Sequence, residues 1–426
     1  MLQILYLQII LFLLYLILFC FALTRIKFFT NSNLEKPILI SLFLIKVLAG
    51  LAYAWFYTLP AYHINSDSFR FYAYSLEETN ILLTQPLHFF KDIFTYGYQT
   101  TGNVFVGDNS YWNDLKSNII IKLLAVCNVF SFKNYYINII FFNFLFFFGL
   151  IAFYRLMQNV FNVNKVILIL PIFFIPSFLF WCSGIHKDGL LFSAIGMVFF
   201  YFNVCLLKGY SFKKVALVLS LLFIIFFLRS YVALLLLLAM FAWWVAQQSK
   251  KHLLSFILVY VVAIILFFIS PFIHSKLNFP NYISVKQHEF SILDGGSSII
   301  AKSIDPSFAG FLHYLPNALD MAFMQPHIFN FKNLSYIPAI IENLGMIIIL
   351  IILLVKRKKK IVMPPVVYAC LFFGITMLLI AGYTVTFSGA IVRYRSLVLP
   401  ILVTLVFANI NFESIFKNKN LFKLKK

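Results

Sequence analysis

Residues 347–355 read Ile-Ile-Ile-Leu-Ile-Ile-Leu-Leu-Val, nine apolar positions in a row with no polar residue at any spacing. Side chains leave a helix in every direction, so a helix made of such a run has no face to offer water. Comparable runs recur through the chain, and several extend to eighteen residues or more, long enough to cross a bilayer core of about 30 Å. A soluble protein covers itself with roughly a quarter charged residues. Here 62% of the 426 residues are hydrophobic and only 11% are charged. Lipid, not water, must solvate most of this chain. A transmembrane β-barrel would need short strands that alternate apolar and polar positions, and these runs do not alternate. The sequence therefore predicts an all-α fold, a polytopic transmembrane helical bundle.

The apolar runs and their flanks predict about eleven spans, near 2–24, 37–60, 134–154, 166–183, 190–207, 215–228, 232–246, 253–270, 334–355, 364–383 and 396–410. With the N-terminus outside, the inner segments 25–36, 155–165, 208–214, 247–252, 356–360 and 411–426 hold 20 Lys/Arg against Glu35 and Glu413. The much longer outer segments hold 13 Lys/Arg against eleven acids. Basic residues collect on the cytoplasmic side of membrane proteins, which places the C-terminus inside and the chain in a cell inner membrane as a multi-pass protein. The Lys356-Arg357-Lys358-Lys359-Lys360 cluster and the tail lysines Lys417, Lys419, Lys423, Lys425 and Lys426 thus read as topology signals rather than a nucleic-acid surface. The segment Asn118 to Phe132, which carries Lys122, is expected to lie at the interface or re-enter rather than cross. No repeat or linker divides the sequence, so a single membrane domain is expected over 1–426.

The inner segments are too short to build a site. Chemistry is expected on the outer side, in the large segments 61–133 and 271–333, which carry almost all the acids outside the spans. The first opens with Tyr62-His63-Ile64-Asn65-Ser66-Asp67-Ser68-Phe69-Arg70. Asp67 falls a few residues after a span, where a carboxylate could act as general base on a hydroxyl at the membrane surface. The same residue could instead cap an interfacial helix. A second feature is Ser183-Gly184-Ile185-His186-Lys187-Asp188-Gly189, a short turn between spans four and five. Three consecutive ionisable residues at a membrane surface are costly unless paired or employed, and the glycines would let a ligand approach the backbone. Lys187 could hold a phosphate and Asp188 supply a second acid. The plainer alternative is a solvated hairpin turn.

Arginines form a third set: Arg229 between spans six and seven, and Arg393 and Arg395 in Gly389-Ala390-Ile391-Val392-Arg393-Tyr394-Arg395. A guanidinium binds phosphate oxygens in pairs, and the outer face is where topology gives no reason for cations. They could also snorkel to the head groups. Glu342, inside span nine, requires a function or an ion pair, and Arg393 is its expected partner. The five cysteines have neither Cys-x-x-Cys spacing nor a histidine at ligand distance, so no metal-ligating residues are assigned. There is no P-loop, no Gly-x-Gly-x-x-Gly, no His-Glu-x-x-His and no Gly-x-Ser-x-Gly.

An Asp motif opening the first large outer loop directly after a span, with a short outer turn carrying a further acid, resembles the GT-C-type glycosyltransferases. These polytopic enzymes face outward and use polyprenyl-phosphate-linked sugars. The resemblance implies Asp67 as base, Asp188 as the second acidic position, and His186, Lys187 and arginine as substrate contacts. It also implies membrane lipid and a polyprenyl-phosphate-linked sugar as partners, and leaves room for a divalent cation as cofactor. The usual acid pair is reduced here to Asn65-Ser66-Asp67, which weakens the case for that cation. The stretches Phe180 to Gly189 and Gly389 to Arg395 also resemble membrane proteins of bacterial surface-polysaccharide clusters, O-antigen polymerases among them. Beside these enzymatic readings stands a non-enzymatic one, a lipid-linked glycan transporter or scaffold.

Overall fold

A computed structural model of the chain describes residues 2–63, 67–94, 111–274, 277–293, 297–299, 301–328 and 334–415. The helices in chain order are α1 (Leu2–Arg25), α2 (Lys27–Thr30), α3 (Lys36–Phe56), α4 (Pro60–His63), α5 (Asp67–Thr84), α6 (Pro86–Lys91), α7 (Tyr111–Ser131), α8 (Tyr135–Phe161), α9 (Lys165–Phe173) and α10 (Pro176–Trp181). They continue with α11 (Lys187–Lys208), α12 (Phe212–Leu228), α13 (Ser230–Ser249), α14 (His252–Ile273), α15 (Phe279–Ser291), α16 (Phe308–Phe323), α17 (Ile337–Val355), α18 (Pro365–Thr384), α19 (Ser388–Ser396) and α20 (Leu399–Asn409). Among the described residues the only β pairing is two isolated bridges, Ser298 with Phe387 and Arg357 with Ile410. The all-α expectation holds.

Among the described residues, eight helices are long and apolar enough to cross a membrane: α1, α3, α8, α11, α13, α14, α17 and α18. The pair α19 and α20, bent by 60° at its break, makes nine if it counts as one span. Every one of the eleven expected runs lies on helix, but two fall short of a crossing by this measure. The run 166–183 is interrupted after Phe173 and resumes at Pro176, with a second proline, Pro171, inside α9. A proline lacks the N–H that would continue the ladder and pushes the residue before it out of the helical region. The run 215–228 lies on α12, whose 17 residues reach roughly 26 Å, less than the bilayer core.

By contact the chain falls into two compact units. The first comprises residues 1–153, 179–198 and 219–230. Its core joins Ala54 of α3, Leu124 of α7, Ile139, Phe142 and Phe146 of α8 and Ile185 before α11. Gly149 on α8 and Ser193 and Gly196 on α11 form a backbone-to-backbone seam. A Cβ on Gly149 would lie 2.1 Å from the Ser193 Cα, and one on Gly196 would lie 2.4 Å from the Gly149 carbonyl oxygen. The Ser193 hydroxyl also accepts from the Gly149 N–H at 3.1 Å, a polar contact that lipid makes worthwhile.

The segment expected at the interface lies within α7, which packs on α5 and joins polar as well as apolar residues to it. Asn128 donates to the hydroxyls of Ser75 and Thr79 at 2.9 and 3.1 Å. Lys122 donates to Glu78 at 2.6 Å and to Asp92 at 2.7 Å, with all three side chains 5% exposed or less. Removing one partner of such a buried group leaves uncompensated charge, at about 3–5 kcal/mol. Lys122→Met is therefore expected to lower the unfolding temperature of the detergent-solubilised chain sharply. A variant melting with the wild type would show that the triad contributes nothing to stability.

The second unit comprises residues 154–178, 199–218 and 231–426. In it α9 packs on α20, and α16 on α18, where a Cβ on Gly382 would lie 2.0 Å from the Ala318 carbonyl oxygen. The basic cluster after α17 is stitched to the end of α20: Lys358 N–H donates to the Asn409 carbonyl at 2.9 Å and Asn411 N–H to that of Lys356 at 2.7 Å. The two basic segments assigned to the inner side thus begin at one place in the fold. The tail lysines from Lys417 onward lie outside the described residues, as do Ile64, Asn65 and Ser66 of the first motif.

Candidate active site

The Ser183 to Gly189 stretch lies deep in the first unit, and the side chains of three helices hold its backbone. From α3, Lys46 donates to the Cys182 carbonyl at 2.7 Å and to the Ser183 hydroxyl at 3.1 Å. From α8, Asn143 donates to the Ser183 carbonyl at 2.7 Å. From the first turn of α5, Ser68 donates to the Ile185 carbonyl at 2.8 Å. The glycines serve protein packing. A Cβ on Gly184 would meet the Tyr53 ring at 2.3 Å and one on Gly189 the Phe146 ring at 2.4 Å, so neither leaves the backbone open to a ligand as the sequence suggested. The solvated-turn alternative also fails, because His186 and Asp188 are each only 1% exposed.

Burying these two groups requires partners, and the partners are residues singled out from the sequence. Asp188, in the first turn of α11, accepts from the Arg229 guanidinium at 2.5 Å. His186 stands between the two acids, with Nδ1 3.2 Å from Asp188 Oδ2 and Nε2 3.5 Å from Asp67 Oδ2. The Asp188 N–H also points at Nδ1, at 3.3 Å. Asp67 is the first residue of α5, and its other oxygen accepts from Arg70 one turn on, at 3.0 Å. The side chains run from 34% exposed at Asp67 to 1% at His186 and Asp188 and 7% at Arg229. The result is a line of alternating charge capacity, open at one end. Lys187, half-buried, is the first residue of α11.

The second-unit residues are arranged differently. Glu342 is 6% exposed, and one of its oxygens accepts from the Ser177 N–H at 2.7 Å. The expected Glu342–Arg393 pair is not among the ion pairs of the described residues, and of the two arginines it is Arg395 that is buried. The reason is helical phase. Arg393 and Arg395 are two residues apart on α19 and so leave it on opposite sides. Arg395 turns inward at 3% exposure and donates to the carbonyls of Gln325 at 3.0 Å and of Ala322 and Phe323 at 3.4 Å, at the C-terminal end of α16, where a cation is favoured. Arg393 remains half-buried.

Sequence reasoning overlooked Lys46, Asn143, Ser68 and Arg70 as parts of the site. Only Lys46 carried a signal, as an ammonium inside an otherwise apolar span. Comparison with known proteins returned no match among family models, curated proteins or solved structures. The site must be read from its own chemistry. Its two carboxylates do not converge on a common point, since each faces a different nitrogen of the same imidazole, and among the described residues no group of three or more His, Cys, Asp or Glu could hold a metal ion. The residues present do not fit a divalent cation, and no step below uses one.

Proposed function

We propose that this protein is a membrane glycosyltransferase that acts at the outer face of a bacterial cytoplasmic membrane, moving a sugar from a polyprenyl-phosphate carrier during assembly of cell-envelope polysaccharide. One observation carries the reading: a partly exposed carboxylate, Asp67, backed by a buried imidazole, carboxylate and guanidinium in line. Such an array takes up a proton at its open end and redistributes it inside, which is the task of a general base. The acceptor hydroxyl gives its proton to Asp67 as its oxygen bonds to the anomeric carbon. The bond from that carbon to the carrier phosphate breaks, and the electron pair leaves with the phosphate. In the tautomer whose Nδ1–H donates to Asp188 Oδ2, Nε2 is the bare nitrogen that shares the new proton, and Asp188 offsets the charge on the ring. Arg229 holds Asp188 in place.

Lys187, one residue from each of His186 and Asp188, is assigned to the departing phosphate, where it serves as a point charge. Arg395 is committed to the carbonyls around the end of α16, which is why it is not given that role. In this reading the N-terminus is outside and the tail is cytoplasmic, following the bias of basic residues. Membrane vesicles containing the chain, incubated with a tritiated polyprenyl-phosphate hexose, are expected to move label from the carrier into a more polar glycan. Identical label distributions with and without the chain would overturn the assignment.

A further inference from the structure

The second unit holds a cavity of about 270 Å³, lined among others by Tyr314, Asn317, Asp320 and Met321 of α16, by Lys302, and by Thr386 after α18. The α16 residues share one face of the helix, following one another at three, three and one positions. Hydrogen bonds tie parts of the wall together. Ile299 N–H donates to the Thr386 carbonyl at 2.8 Å and Ser388 N–H to that of Ser297 at 3.0 Å, which binds the 297–299 segment to the chain after α18. Gln287 donates to the Lys302 carbonyl at 3.1 Å. Asp320 is oriented by Gln325, which donates to it at 3.2 Å, and by His327, whose Nε2 lies 3.1 Å from its Oδ1. Thr386 is 2% exposed, and its hydroxyl has no hydrogen-bond partner among the described residues.

The lining mixes a carboxylate that only accepts, an ammonium that only donates, and an amide and hydroxyls that do both. A phosphate would meet the Asp320 carboxylate as a like charge, and a wholly apolar ligand would strip water from Asn317 and Lys302 and return no hydrogen bond. At about 30 Å³ per water, the space equals roughly nine waters, enough for one sugar ring. We propose that this cavity binds a single neutral sugar ring, each of whose hydroxyls can both donate and accept. The choice of a sugar among polyhydroxylated ligands rests on the transfer reading above; the match of donors and acceptors does not.

The test is saturation-transfer NMR on the full chain in lipid nanodiscs, with methyl glucoside, methyl galactoside and N-acetylglucosamine as separate probes. Saturation is expected to reach the ring protons of at least one sugar. Asn317→Ala and Asp320→Asn, both at side chains that are not buried, are each expected to weaken its binding roughly tenfold with unchanged melting temperature. No transfer to any of the three sugars would overturn the proposal, as would binding that both substitutions leave intact. Phosphorus line-broadening of inorganic phosphate that disappears in Lys302→Ala, with no sugar response, would overturn it in favour of an anion site. Because the readout is binding rather than turnover, failure of the vesicle transfer assay would leave a positive result standing.

Discussion

Asp67→Asn is expected to lower the rate of sugar transfer by roughly 10²–10⁴-fold, the usual contribution of a positioned general base. The amide keeps the size of the carboxylate, and its carbonyl oxygen can still accept from Arg70. It cannot take up a proton. The competing explanation of Asp67, that it serves only to start α5, predicts a different outcome, because asparagine caps helices as well as aspartate does. Asp67 is also partly exposed, with its side chain at 34%, so the change should cost little stability. The measurement is label transfer in vesicles carrying equal, quantified amounts of wild-type and variant chain. A wild-type rate in the variant would reduce Asp67 to a helix start and remove the base from the mechanism.

Arg229→Leu should unfold the chain far more readily than any nearby apolar change. It leaves Asp188, 1% exposed, without its guanidinium, and uncompensated buried charge costs about 3–5 kcal/mol. Adding Asp188→Leu removes the stranded carboxylate, so the double variant should recover most of that stability. It should not recover transfer, since His186 would then have no acid behind it. Thermal unfolding in detergent gives the first comparison and vesicle transfer the second. If Arg229 served only to hold a donor phosphate, the single variant would melt with the wild type, and that result would sink the pairing described here.

The spans were legible because lipid requires a helix to be apolar all round, a property that a short window of sequence displays in full. The interruption before Pro176 was not foreseen, because the run 166–183 was read by its apolar content alone and its prolines were given no weight. Asp67, His186, Asp188 and Arg229 could each be singled out as ionisable residues in costly places. Their joining into one line could not, because it depends on α5, α11 and the residue that follows α12 meeting in space. The same limit explains why a solvated turn stayed open as an alternative for the Ser183 to Gly189 stretch: the residues that bury it, Lys46, Asn143 and Ser68, come from three other segments. The Glu342–Arg393 pairing was expected because the sequence alone did not set the phase of α19, which turns Arg395 rather than Arg393 inward.

The Gly149–Ser193–Gly196 seam makes α11 a lever. Asp188 stands five residues, about 7.5 Å, beyond Ser193 along that helix, and on the near side of the fulcrum two backbones touch with no side chain between them to yield. A methyl group at position 149 would have to prise the helices apart where neither can give, and the displacement would be carried along α11 to the acid at its tip. A general base and the groups that back it work only when placed to within a few tenths of an ångström. The accuracy of the site is thus set by two glycines that touch none of its groups.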